Sequence, residues 1–178
     1  MTESVRSSWV VTELAPDGSV ERAATLNEAS APDGVLELGR GARGLAYPDD
    51  EMADRQARLV DTGTSVVLED LAEGTGVWLR IAGSEGRALA DGDQVWLGAQ
   101  ILVFRGTGTN WVIRHHGPDG RLSDSHPVPP RGFFIGRGSE LVLDPDDAQL
   151  SRRHAQVAFV SDTLRFFDRG AQNGSCIR

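Results

Sequence analysis

The chain has 178 residues, 39% of them hydrophobic, and a formal charge of −8 from 18 cationic against 26 acidic side chains. That is enough apolar material for one or two cores, with no apolar run as long as a membrane span, a lone cysteine (Cys176) that excludes an internal disulfide framework, and too little positive charge for a nucleic-acid partner. All 18 cations are arginine, which excludes a lysine-bearing phosphate loop and points to a GC-rich bacterial genome.

The N-terminus Met1-Thr2-Glu3-Ser4-Val5-Arg6 lacks an apolar signal region, and with the single cysteine this leads to an expectation of a cytoplasmic protein. Strands are predicted at Trp9–Leu14, before the turn signal Pro16-Asp17-Gly18, and at Ala57–Val60, Ser65–Leu68 and Val77–Ile81, each apolar-rich and bounded by Asp, Gly or Thr. Val95–Leu97 and Ile101–Phe104 follow, then Trp111–His115 before Pro118-Asp119-Gly120. His154–Val160 and Thr163–Phe167 flank Ser161-Asp162 as a hairpin. No window holds a 3.6-residue apolar stripe over ten residues. Many short strands at close spacing predict an all-β sandwich fold. Trp78 and Trp96 are expected in or half in the core.

The sequence repeats itself. Trp9-Val10-Val11 and Pro16-Asp17-Gly18 fall on Trp111-Val112-Ile113 and Pro118-Asp119-Gly120 at a shift of 102. Leu38-Gly39-Arg40 falls on Ile135-Gly136-Arg137 at a shift of 97, and Asp54-Arg55-Gln56-Ala57 on Ser151-Arg152-Arg153-His154 at the same shift. Asp70 and Thr75-Gly76 fall on Asp168 and Asn173-Gly174 at 98. The drift places length changes in loops, where they cost little. Two tandem modules are therefore expected, residues 1–106 and 109–178. By this arithmetic the last strand of the second copy would lie near position 202, about 24 residues past Arg178. The second sandwich is thus expected to lack its last strands, either as a fragment of a longer protein or awaiting completion by another segment or a homodimer partner.

The back half carries Gly136-Arg137, Ser151-Arg152-Arg153-His154 and Asn173-Gly174 in that order. An arginine offers a planar two-pronged cation to a phosphate, a serine hydroxyl a short neutral donor, and an asparagine amide a group that both donates and accepts, suited to gripping a peptide backbone. The charge is divided to match. Residues 1–108 hold nine arginines against eighteen acids, and residues 109–178 hold nine against eight.

In this order and between β-like runs, the trio resembles the forkhead-associated (FHA) domain, a β-sandwich that reads phosphothreonine peptides with loops gathered at one end. The resemblance covers Trp111 to Arg178 well and recurs, weakened, over the first hundred residues. It implies phosphopeptide contacts from Arg137, Ser151, Arg152, Gln172 and Asn173, although Gln172 stands where the family often has Ser or Thr. It also implies structural roles at the site for Gly136, His154 and Gly174, with His154 bracing the loop from behind. In the first copy Arg40 remains, but Asp54 stands for the serine, Ala57 for the histidine and Thr75 for the asparagine. That counterpart site (Arg40, Asp54, Thr75) is expected not to bind, because a carboxylate repels the dianion and is free to neutralise Arg40. The implied partner is a phosphothreonine-containing protein in Ser/Thr kinase signalling.

Other chemistries fit less well. The alternative for Arg137 is an ion pair with Asp144, Asp146 or Asp147. A Ser151–His154 hydrolase would need the two side chains on one side of a strand, and i and i+3 face opposite sides; no enzyme activity is expected. His115, His116, His126 and His154 lack metal-ligand spacing, so neither metal nor cofactor is expected. These histidines are read as loop residues plus one brace, and Cys176 as a packing residue. The remaining alternative is a phosphate-independent scaffold or dimerisation module.

Overall fold

The computed structural model describes residues 9–14, 19–26, 31, 33–72 and 76–178. The described residues form sixteen strands and no α-helix, so none presents a helix long and apolar enough to cross a membrane. The chain divides into two compact units, Met1–Val77 and Trp78–Arg178.

The first unit begins with a hairpin of β1 (Trp9–Leu14) and β2 (Val20–Leu26), paired Trp9 to Leu26. A four-stranded sheet follows in the order β4-β3-β5-β6, built from β3 (Val35–Gly39), β4 (Leu45–Ala46), β5 (Ala57–Asp61) and β6 (Val66–Asp70). Its buried core is small: Leu26, Ala31, Leu36 and Leu45, with Trp9, Val11, Leu38, Tyr47 and Leu59 packed partly against them.

The second unit contains β7 (Leu79–Arg80), β8 (Arg87–Ala88), β9 (Gln94–Leu97), β10 (Gln100–Thr107), β11 (Asn110–His116), β12 (Leu122–Pro127), β13 (Phe133–Ile135), β14 (Ala155–Val160), β15 (Thr163–Asp168) and β16 (Ser175–Ile177). A six-stranded sheet in the order β12-β11-β10-β9-β16-β7 and a four-stranded sheet in the order β13-β14-β15-β8 supply one common core. Period-2 alternation explains which residues enter it. Val95 and Leu97 of β9, Leu102 and Phe104 of β10, and Trp111 and Ile113 of β11 point inward from one sheet. Val157, Leu164 and Phe166 point inward from the other, and Phe104 meets Phe166 edge-on at 6.3 Å between centroids. The same alternation sends Trp96 outward, 47% exposed, where it meets Trp78 edge-on. Trp96, expected in or half in the core, is instead an exposed residue because its strand neighbours Val95 and Leu97 take the inward positions.

The unit boundary lies at Val77/Trp78, not between residues 106 and 109. The strands at Gln94–Leu97 and Gln100–Thr107, which the repeat assigns to the end of the first copy, close the second. β10 pairs with β11 over seven positions through the tight Gly106–Asn110 connection, and β9 pairs with β16. β7 adds to the other edge of β16 and β8 to β15. Local hairpin closure of β10 on β11 needs a two-residue loop, so its entropic cost is minimal. The places expected to be vacant in the second sandwich are thus filled by strands that precede it in the chain.

β14 and β15 meet at Ser161-Asp162 as expected, both residues at positive φ (49° and 61°), the geometry of a type I′ turn. β12 lacks an apolar pattern because it is a sheet edge with nearly every residue exposed, and its Pro127 sits at the strand end, where a missing donor does no harm.

Candidate functional site

Gly136, just after β13, brings two loops together. A Cβ there would lie 2.5 Å from the carbonyl oxygen of Arg152 and 2.6 Å from that of Ser151, so only glycine permits this approach. The approach is stitched by backbone bonds: Arg137 N–H to Ser151 C=O (3.3 Å), Gly138 N–H to Arg152 C=O (3.1 Å), and His154 N–H to Ile135 C=O (2.9 Å). The Ser139 hydroxyl also donates to the Arg152 carbonyl, at 2.7 Å. The Arg137 loop and the Ser151-Arg152 loop are therefore one hydrogen-bonded surface.

His154 is completely buried and ties in a third loop. Its Nδ1 accepts the Ser151 N–H at 3.1 Å, which fixes the proton on Nε2, and Nε2 donates to the Gly174 carbonyl at 3.0 Å. Both ring nitrogens are thus committed to backbone, and neither is available to the Ser151 hydroxyl. Asn173, next to Gly174, sends its amide N–H to the Gln149 carbonyl at 3.0 Å. Its Oδ1 and second N–H remain. Asp168 holds the same turn, accepting from Gly170 N–H (2.9 Å), Ala171 N–H (3.0 Å) and the Ser175 hydroxyl (2.8 Å).

Arg137, Arg152, Gln172 and Asn173 are exposed on these loops and Ser151 is half-buried. Among the described residues Arg137 has no ion-pair partner, and the Ser151 hydroxyl has no hydrogen-bond partner. Two of the alternative partners for Arg137, Asp147 and Asp144, are engaged elsewhere. Asp147 accepts from Ala99 N–H (2.8 Å), Gln100 Nε2 (3.1 Å) and Gln149 N–H (2.9 Å). Burial pushes its carboxyl up, but these hydrogen bonds outweigh burial and hold it below the usual carboxylate range. Asp144 caps its own turn at Asp146 N–H. Arg153 stacks on Phe134, 3.9 Å from the ring centroid.

Compared with known proteins, this chain matches no family model, no curated protein and no solved structure. The comparison that remains is internal, between the two units.

In the first unit Arg40 N–H donates to Ala53 C=O (2.9 Å), Gly41 N–H to Asp54 C=O (3.0 Å) and Gln56 N–H to Leu38 C=O (2.8 Å). These are the three stitches of the second unit, but they set the loop register at a shift of 98, not 97. Ala53 therefore stands opposite Ser151, Asp54 opposite Arg152, and Gln56 opposite His154. The pairing of Asp54 with the serine and Ala57 with the histidine is corrected. Ala57 begins β5, where it pairs with Asp70 as Ala155 pairs with Asp168. Gln56 does the work of the imidazole: its Oε1 accepts the Ala53 N–H (3.0 Å) and its Nε2 donates to the Gly76 carbonyl (2.8 Å). The sequence signal was available, since Gln56 and Gly76 are separated by the same 20 residues as His154 and Gly174.

Arg40 is occupied. Its Nε lies 3.0 Å and its terminal nitrogen 2.9 Å from Oδ1 of Asp54. Such an exposed pair adds only about 0–1 kcal/mol to stability, but it leaves a carboxylate where an incoming anion would have to sit. Thr75 lies outside the described residues.

The histidines differ from expectation. His115 and His116 belong to β11 and His126 to β12, not to loops. His115 is buried, its Nε2 2.9 Å from Oε1 of Gln100, and Gln100 in turn donates to Asp147. Among the described residues no group of three His, Cys, Asp or Glu is placed to hold a metal ion. Cys176 is half-buried in β16, and burial pushes its thiol pKa up against the pull of Arg80.

Proposed function

We propose that the second unit is a phosphothreonine-peptide reader of the FHA kind and that the first unit is its non-binding counterpart. The observation that carries this reading is the contrast between two arginines on matching loops. Arg40 is neutralised by Asp54, whereas Arg137 stands exposed with no acidic partner among the described residues, beside the unpartnered Ser151 hydroxyl. An unneutralised guanidinium, a hydroxyl, a second arginine (Arg152) and an amide on one hydrogen-bonded surface suit a dianion carried on a peptide. In this reading Arg137 and Ser151 take the phosphate, Arg152 adds charge, and Asn173 takes the peptide backbone, with Gln172 beside it. Gly136, His154 and Gly174 hold the loops and touch no ligand. The commitment of both His154 nitrogens supports a brace and not a general base. The partner is a phosphothreonine-containing protein, and the role is phosphorylation-dependent assembly.

Titration of the full chain with a fluorescent phosphothreonine peptide library, before and after phosphatase treatment, tests the proposal. Binding that disappears with the phosphate is expected. Binding that survives phosphatase and Arg137→Ala would instead favour a phosphate-independent scaffold, for which the exposed Trp96, edge-on to the half-buried Trp78, is the apolar feature to probe.

A further inference from the structure

Arg80 is absent from the motif that marks the site, and the repeat assigns it to the first copy. The fold brings it to the second unit's site. β7 pairs antiparallel with β16, Arg80 opposite Cys176, and Ile81 N–H donates to the Ser175 carbonyl at 2.8 Å. Those contacts place β7 beside the residues that leave the Asn173-Gly174 turn. The Arg80 side chain leans back over that turn. A Cβ on Gly174 would meet Nη2 at 2.7 Å and both Cζ and Nε at 3.0 Å, so the guanidinium lies against Gly174. Gly174 is held at φ 70° by the turn, and any side chain there would displace the cation.

This contact positions the guanidinium without using its N–H groups. Arg80 is exposed and, among the described residues, has neither a hydrogen bond nor an ion pair. The nearby Asp168 is engaged with Gly170, Ala171 and Ser175. A held planar cation with open donors is suited to a carboxylate or a phosphate. Its place is at the turn carrying Asn173, not on the Arg137–Ser151 loops.

We propose that Arg80 gives the site a preference for peptides with a second negative charge, an acidic side chain, next to the phosphothreonine. This rests on the reader assignment above and adds a specificity-determining residue to it.

The experiment uses the full chain and three fluorescent peptides: phosphothreonine flanked on both sides by glutamates, phosphothreonine flanked by alanines, and the glutamate peptide without phosphate. Wild type is expected to bind the first about threefold to fivefold more tightly than the second, the upper part of what an exposed ion pair contributes. Arg80→Ala is expected to remove that ratio while leaving the alanine-flanked peptide unchanged. Arg80→Lys should keep part of it, and Arg80→Glu should invert it. Thermal melts check that each variant folds. A wild-type ratio near one, or a ratio that Arg80→Ala leaves intact, overturns the role of Arg80 and leaves the reader standing. Failure of wild type to distinguish phosphorylated from unphosphorylated glutamate peptide overturns the reader, and the Arg80 proposal falls with it.

Discussion

Gln56 and His154 make the same pair of hydrogen bonds, each from a backbone N–H three residues earlier and to the carbonyl of a glycine twenty residues later. An amide and an imidazole both present an acceptor and a donor about one side-chain length from the backbone. Either can therefore rivet two loops together. The loop geometry is thus shared by a unit with its cation neutralised and a unit with its cation open, which separates bracing from binding.

That equivalence makes His154→Gln a mild change. Its stability is expected within about 1 kcal/mol of wild type, because both backbone groups keep partners. His154→Ala leaves the part-buried Ser151 N–H and the buried Gly174 carbonyl unpaired and should cost about 1–3 kcal/mol for the carbonyl alone. Denaturant melts of the two variants check this, and equal losses would refute the brace.

Arg137→Ala should weaken phosphothreonine-peptide binding by about 100-fold or more, at ~1.5–3 kcal/mol for each charge-assisted hydrogen bond lost and ~1.4 kcal/mol per decade. Arg40→Ala should leave affinity nearly unchanged, since Asp54 already holds that guanidinium. Calorimetry on both variants decides the matter. A comparable loss from Arg40→Ala would make the first unit the reader.

Residues 78–178 should fold on their own with one cooperative melt, whereas 109–178 should not. The shorter piece lacks Ile81, Leu89, Val95, Leu97, Leu102 and Phe104, six buried core residues, and strips the inner edge of β11. Proton NMR dispersion of the two fragments distinguishes them. A well-dispersed spectrum from 109–178 would show that β7–β10 are dispensable.

The second unit should lose stability as the pH falls below about 6.5. Burial first, then His126 and His116, lower the His115 pKa from its ordinary 6.5, while Asp124 and Asp144 oppose them. The unfolded chain therefore takes up this proton before the folded one, so the contribution is complete above 6.5 and declines as pH drops towards the folded value. Asp147 acts in a lower window, its depressed pKa supporting the fold above the carboxylate range and failing only as pH falls through its folded value. Melts between pH 7.5 and 5 on wild type and His115→Gln check the upper window. The variant should show the flatter profile.

The all-β class was readable from residue order alone, because strand alternation and turn dipeptides are local properties of a chain. Arg137, Ser151 and Asn173 were singled out by the FHA resemblance together with their residue types, and the pairing of Arg40 with Asp54 by their opposite charges. The one-residue error that paired Asp54 with Ser151 arose because sequence matching in a loop has no periodicity to anchor it, while the bonds of Gly41, Arg40 and Gln56 do. Which strands complete which sandwich was settled only in three dimensions. β9 and β10 carry the same apolar pattern whichever sheet receives them, and the choice turns on long-range edge pairing and on the short β10–β11 connection. The position of Arg80 follows from that choice, since no local signal in Leu79-Arg80 indicates that β16 will be its neighbour.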